Sequence, residues 1–93
     1  MAIDHEFVWV FLGEGARFPG AVFSDVETAS AWISKHSLTG VLTKYPMDAG
    51  AYDWAIATRL FVPKKPEQSL PKFIGSFTSA SMEHFHCENG VLE

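Results

Sequence analysis

A chain of 93 residues that is 47% hydrophobic and 14% aromatic is too short for two domains and too apolar to stay disordered, so it specifies one core. Eleven acidic against seven basic side chains give a formal net charge of −4, and with no basic run longer than Lys64-Lys65 the chain lacks the phosphate-neutralising stripe that duplex nucleic acid requires. Its single cysteine, Cys87, excludes an internal disulfide and a cysteine-built zinc site.

In chain order, residues 6–12 form the strongest strand. Phe7, Trp9 and Phe11 alternate with Val8, Val10 and Leu12, and Gly13 ends the run. Both faces are apolar, which predicts a central strand covered on both sides; the alternative is a Phe7/Trp9/Phe11 face kept for a homodimer. Residues 13–20 are a loop by their glycines and Pro19, and Ala21-Val22-Phe23 returns as a short second strand. Ser24-x-x-Glu27 has the form of a capping box and predicts a helix over 25–36, with Val26, Ala29, Trp32 and Ile33 at the spacing of one face and Lys35 and His36 in the last turn.

Residues 38–45 read as a third strand ended by Pro46, which has no N–H for a ladder. A second helix is predicted over 51–60, from Tyr52, Ile56 and Leu60 on one face and Asp53 in the first turn. Phe61 to Pro66 is extended by its two prolines. Ser69 caps a short third helix with Pro71 in its first turn and Phe73, Ile74 and Phe77 as its apolar edge. Residues 82–87 form a last strand, after which Asn89-Gly90 is a turn signal with no further strand assigned to it. The class is α+β: a mostly antiparallel sheet of about four strands with two to three helices packed on it, in the order β-β-α-β-α-α-β. One domain covers 1–91, and Leu92-Glu93 is set aside as a tag remnant. The acidic start at Asp4 and Glu6 is unlike a secretion signal, and no apolar run approaches the ~20 residues that span a bilayer. A cytoplasmic protein without a membrane partner is the expectation.

Chemistry-bearing residues fall in three places. In His84-x-His86-x-Glu88 the three side chains share one face of a strand, and two imidazoles at that spacing suit a transition metal if further ligands come from elsewhere. His5, His36 and Asp48 are not placed there by the sequence. The plainer account is a solvated strand face. Gly13-Glu14-Gly15 completes no phosphate-loop pattern, since Phe18 stands where a third glycine belongs. Its glycines serve a turn, and Arg17 is the residue there able to bind a ligand. Tyr45, Asp48, Tyr52, Asp53 and Trp54 gather acids and aromatics at a strand-to-helix junction, a composition that fits a partner surface better than acid–base catalysis. Cys87 and His86 point to opposite faces of a strand, and no G-x-S-x-G elbow exists, so nucleophilic catalysis has no support.

Residues 13–19, Val22-Phe23-Ser24, Leu38-Thr39-Gly40, Tyr45-Pro46-x-Asp48, Tyr52-Asp53-Trp54-Ala55, Pro63-Lys64-Lys65-Pro66 and the closing Glu83-His84-x-His86-x-Glu88-Asn89-Gly90 together resemble a small family of bacterial domains of unknown function. The resemblance covers about residues 7–90 and implies a stand-alone bacterial module; the family brings no activity to transfer. Short acidic immunity proteins are similar in size and style only. The sequence reading is therefore a non-catalytic module of immunity or adaptor type, without a cofactor, a monomer or weak homodimer that presents Arg17, Tyr45, Asp48, Tyr52, Asp53, His84 and His86 to another protein. The competing reading is a metal-dependent enzyme or ligand binder built on His84 and His86.

Overall fold

A computed structural model describes residues 6–93. Five strands, β1 (Phe7–Gly13), β2 (Ala21–Phe23), β3 (Gly40–Pro46), β4 (His84–Glu88) and β5 (Val91–Leu92), form one antiparallel sheet in the order β2-β1-β3-β4-β5. Three helices, α1 (Val26–Lys35), α2 (Ala51–Ala57) and α3 (Pro71–Gly75), and one 3₁₀ turn at Pro66–Ser69 complete it. The α+β class and antiparallel sheet are as the sequence predicts. The added strand is β5, which Asn89 and Gly90 create by taking positive φ of 49° and 88°, the pair of conformations that a two-residue hairpin turn needs. Leu92, set aside in the sequence, pairs with Cys87 and packs against the core.

Register decides which side chains share a face, because directly opposed residues point the same way. Phe11 opposes Leu42 and Leu42 opposes Phe85. Trp9, Phe11, Leu42 and Cys87 therefore lie on one side, where Ala29 and Ile33 of α1 close over them, all nine-tenths or more buried. Trp32 of α1 meets Phe11 edge-on at 5.7 Å and Phe23 at 5.6 Å. Each large apolar side chain sealed here contributes roughly 1.5–3 kcal/mol, so this layer dominates the stability of the domain. Trp9 and Phe11 of the Phe7/Trp9/Phe11 face are thus core, and Phe7 is half-buried against Trp54. Covering on both sides is corrected, since α1 lies over one face only.

Helix α1 starts one residue later than predicted. Asp25, in extended conformation, is its cap: the carboxylate accepts the Thr28 N–H at 2.7 Å, while Ser24 donates its hydroxyl to Asp25 at 3.3 Å. That backbone hydrogen bond holds the Asp25 carboxyl below its ordinary value. The helix ends at Lys35 with His36 as its C-cap, and Ser37 beyond it takes a φ of 52° that lets the Leu38 N–H reach back to the Ile33 carbonyl at 3.0 Å. Gly40 follows in close quarters, since a Cβ there would collide with the Leu12 carbonyl and the Phe11 ring.

Between β3 and β4 the chain builds a second, smaller cluster. Helix α2 stops at Ala57 instead of Leu60, because Arg59 turns left-handed at φ 63° and the N–H groups of Leu60 and Phe61 both return to the Ala55 carbonyl. The reversal lays Phe61 beside Tyr52, and Phe73 of α3 and Phe77 just beyond it join them, with ring centroids 4.9 to 6.2 Å apart. Ser69 does not cap α3; it closes the 3₁₀ turn, and Leu70 takes the cap position with Pro71 in the first helical turn. The turn is tied by Gln68, whose side-chain oxygen accepts the N–H groups of Lys64 and Lys65 at 2.7 and 3.1 Å. At the sheet end Trp54 of α2 meets Phe7 edge-on at 6.0 Å, Lys44 lies 4.5 Å over the same ring, and Lys44 pairs with Glu83 at 3.5 Å. Among the described residues no helix is long and apolar enough to cross a membrane.

Candidate binding groove on the open sheet face

The face opposite α1 carries the other half of every strand. Val8, Val10 and Leu12 of β1 oppose Tyr45, Thr43 and Val41 of β3, and Val10 also opposes Val22 of β2. Among the described residues no helix closes over this side as α1 does over the other. Leu12 and Val22 are left 40% and 61% exposed, well above what a core position allows. Residues 74–78, from the end of α3 onward, overhang one margin, and Arg17 and Pro19 of the β1–β2 loop form the other, so the face becomes a groove of about 910 Å³ with Val10, Leu12, Val41, Thr43 and Tyr45 as its floor. Its lining is mostly apolar, and among the described residues Arg17 is the one charged residue in it.

The loop that carries Arg17 is held by backbone. Glu14 N–H donates to the Thr39 carbonyl at 3.0 Å, Ala16 N–H to Gly13 at 2.9 Å, and Gly20 N–H to Phe11 at 2.9 Å. Gly15 takes φ 74°, which a glycine adopts without cost. The Arg17 guanidinium stands 5.8 Å from the ring of Phe18, itself 75% exposed. Aromatic and arginine side chains presented together on a fixed loop are the residue types that anchor interfaces.

On β4, His84 opposes Thr43 and His86 opposes Val41. The two imidazoles extend the floor, with ring centroids 5.2 Å apart and planes at 83°. They line a depression of about 210 Å³ that shares Val41, Thr43 and Thr78 with the groove. His84 Nδ1 lies 2.7 Å from the Met82 carbonyl, a contact that a ring N–H makes by donating. Beyond His86, the sheet end forms an open hollow of about 500 Å³ lined by Glu14, Glu88 and Glu93.

Four of the seven sequence-derived candidates, Arg17, Tyr45, His84 and His86, therefore meet on one face. The other three do not join them. Tyr52 is buried among Phe61, Phe73 and Phe77 and donates its hydroxyl to the Gln68 carbonyl at 2.8 Å, so its place on the presented surface is corrected to core. Asp48 is exposed in a turn at φ 62°, a role that short acids fill readily. Asp53 is exposed in the first turn of α2, where the helix end favours an acid. Among the described residues no three His, Cys, Asp or Glu side chains cluster to hold a metal ion; His5 lies outside the described residues. Cys87 sits under α1 on the sealed face, and burial pushes its thiol up, away from the reactive thiolate. The floor residues Val10, Leu12 and Val41 were missed as site residues, although the second apolar face of β1 was their signal.

A family model described as a domain of unknown function (DUF7710) matches residues 8–93. No curated protein and no solved structure matches the chain. The chain belongs to the DUF7710 family.

Proposed function

We propose that this DUF7710 domain is a non-catalytic binding module, of adaptor or immunity type, whose open sheet face takes an apolar segment of another protein with a carboxylate of that segment meeting Arg17. The observation that carries the reading is the groove itself: an apolar floor left uncovered in a chain that buries Trp9, Phe11, Leu42 and Cys87 on the opposite face. Uncovered apolar area of this kind marks interaction sites in soluble domains. The charge pattern supports the occupant. In a chain of net charge −4 the groove carries the cation Arg17 and, among the described residues, no acid, and a guanidinium pairs with a carboxylate through two parallel hydrogen bonds. Length supports it too, since the floor runs along β3 from Val41 to Tyr45, about 13 Å at about 3.3 Å per residue, the span of an extended pentapeptide.

Binding is favoured over catalysis because the reactive groups diverge. Cys87 faces α1, Asp48 and Asp53 lie off the groove, and the imidazoles have no nucleophile hydrogen-bonded to them among the described residues. Selection from a random peptide display library tests the reading: enriched peptides carry several apolar residues and one Asp or Glu. Thr43→Arg, which fills the floor with a charge, then abolishes their binding, and Arg17→Ala weakens it about tenfold, the worth of a charge-assisted hydrogen bond. Peptides that bind the Thr43→Arg variant as well as the wild type would place the site elsewhere.

A further inference from the structure

The floor of the groove does not end at β3. His84 continues the row of Val10 and Thr43, and His86 continues the row of Leu12 and Val41. An occupant lying across the floor therefore meets two imidazoles, and imidazole is the side chain that changes charge between about pH 5 and 8. We infer that the His84/His86 pair makes the groove pH-responsive: neutral rings hold the partner segment as part of the apolar floor, and protonated rings release it. This inference rests on the groove being a binding site.

The geometry supplies the reason. When neutral, His84 has its Nδ1–H taken by the Met82 carbonyl at 2.7 Å and offers the occupant an uncharged ring edge beside Val41 and Thr43. Protonating both rings places two like charges 5.2 Å apart, centroid to centroid, beneath a segment that would strip their water, and desolvated charge is disfavoured. The sign follows from proton counting. The complex holds fewer protons on the pair than the free domain does, so binding strengthens as the rings lose protons and weakens as they gain them.

The charged groups around the pair fit this direction. On β4 and beyond, Glu88 and Glu93, with Glu14 from the β1–β2 loop, line the hollow next to His86 and supply counter-charge once the rings are protonated, so the acid form is an open, folded domain. Residues 78–80 overhanging His84 are uncharged. From β3, Tyr45 shares the face while Lys44 points to the opposite one and pairs with Glu83. Arg17 is carried by the β1–β2 loop, with β1 and β3 between it and the imidazoles of β4, so the carboxylate held by Arg17 sits at the guanidinium and not over the rings.

The test uses a peptide selected at neutral pH whose binding Thr43→Arg abolishes. Its Kd is measured at about pH 7.5 and about pH 5.5, the span of imidazole titration, for the wild type and for the His84→Gln/His86→Gln double variant, with amide spectra confirming the fold at both values. Wild-type affinity is expected to fall at least about tenfold, the effect of roughly one unit of differential protonation, while the double variant changes by less than about twofold. Constant wild-type affinity, or an equal fall in the double variant, would overturn the switch and leave the groove standing. If no selected peptide responds to Thr43→Arg, the groove reading fails and the switch fails with it.

Discussion

Leu42 and Val41 are neighbours on β3 with opposite surroundings. Leu42 is fully buried between β1, β4 and α1, and Val41 is half-buried in the floor of an open groove. Their chemistry is nearly the same, so the difference lies in what the connections lay over each face. The ten-residue helix between β2 and β3 covers one side, and the longer excursion between β3 and β4 packs Tyr52, Phe61, Phe73 and Phe77 on one another, with residues 74–78 at a margin of the other side. The domain packs its core on one face and leaves the second largely uncovered.

The largest expected effect tests the sealed side. Leu42→Ala removes a fully buried side chain and costs about 2–5 kcal/mol, which for a domain of this size lowers Tm by at least about 8 °C. A thermal melt shifted by only a degree or two would mean that α1 does not close over the sheet as described. Gly40→Ala comes next. A methyl group there meets the Leu12 carbonyl and the Phe11 ring, and overpacking of this kind costs about 1–3 kcal/mol in a urea melt. Because Gly40 lies where β1 and β3 pair, the loss affects both faces.

A smaller effect concerns the helix that does the sealing. Asp25→Ala deletes the cap of α1 and lowers Tm by less than Gly40→Ala does. The Asp25 carboxyl is held below its ordinary value of 3.8 by the Thr28 N–H. A group whose folded value is depressed stabilises the fold above the ordinary value and loses that contribution as pH falls through the depressed one. The Tm gap between wild type and Asp25→Ala is therefore constant at neutral pH and closes below about pH 4. A gap that persists unchanged in acid would show that the carboxylate hydrogen bond is not its cause.

How far these contrasts were legible in the sequence varies by element. β1 and α1 were plain because a seven-residue run of β-branched and aromatic side chains and a three-to-four apolar spacing each admit one reading. The cap slipped by one residue because Ser24 and Asp25 are both good caps, and only the geometry picks between them. The end of α2 was hidden because its left-handed residue is Arg59 and not a glycine, and β5 because two residues carry no periodicity. Within the site, Arg17, Tyr45, His84 and His86 were found by residue type. Tyr52 was misplaced because its partners Phe61, Phe73 and Phe77 are distant in sequence. The open face itself was unreadable for a physical reason: a strand apolar on both sides looks the same whether its second face meets the domain or another molecule.

The smallest expected effect on stability carries the most weight for the comparison. Leu12 is 40% exposed on the open face and borders both the groove and the acidic hollow. If nothing in the domain covers it, Leu12→Asp removes an apolar group already in contact with water and adds a solvated charge, which shifts stability by no more than about 0.5 kcal/mol. The same charge at Leu42 would have no water to reach and would unfold the chain. Measured side by side, Leu12→Asp should melt with the wild type yet fail to bind the selected peptides, and Leu42→Asp should not fold. A loss above about 1 kcal/mol at Leu12 would mean that part of the domain itself packs over that end of the face. The groove would then be interior to the fold, and the distinction between a sealed and an open face would disappear.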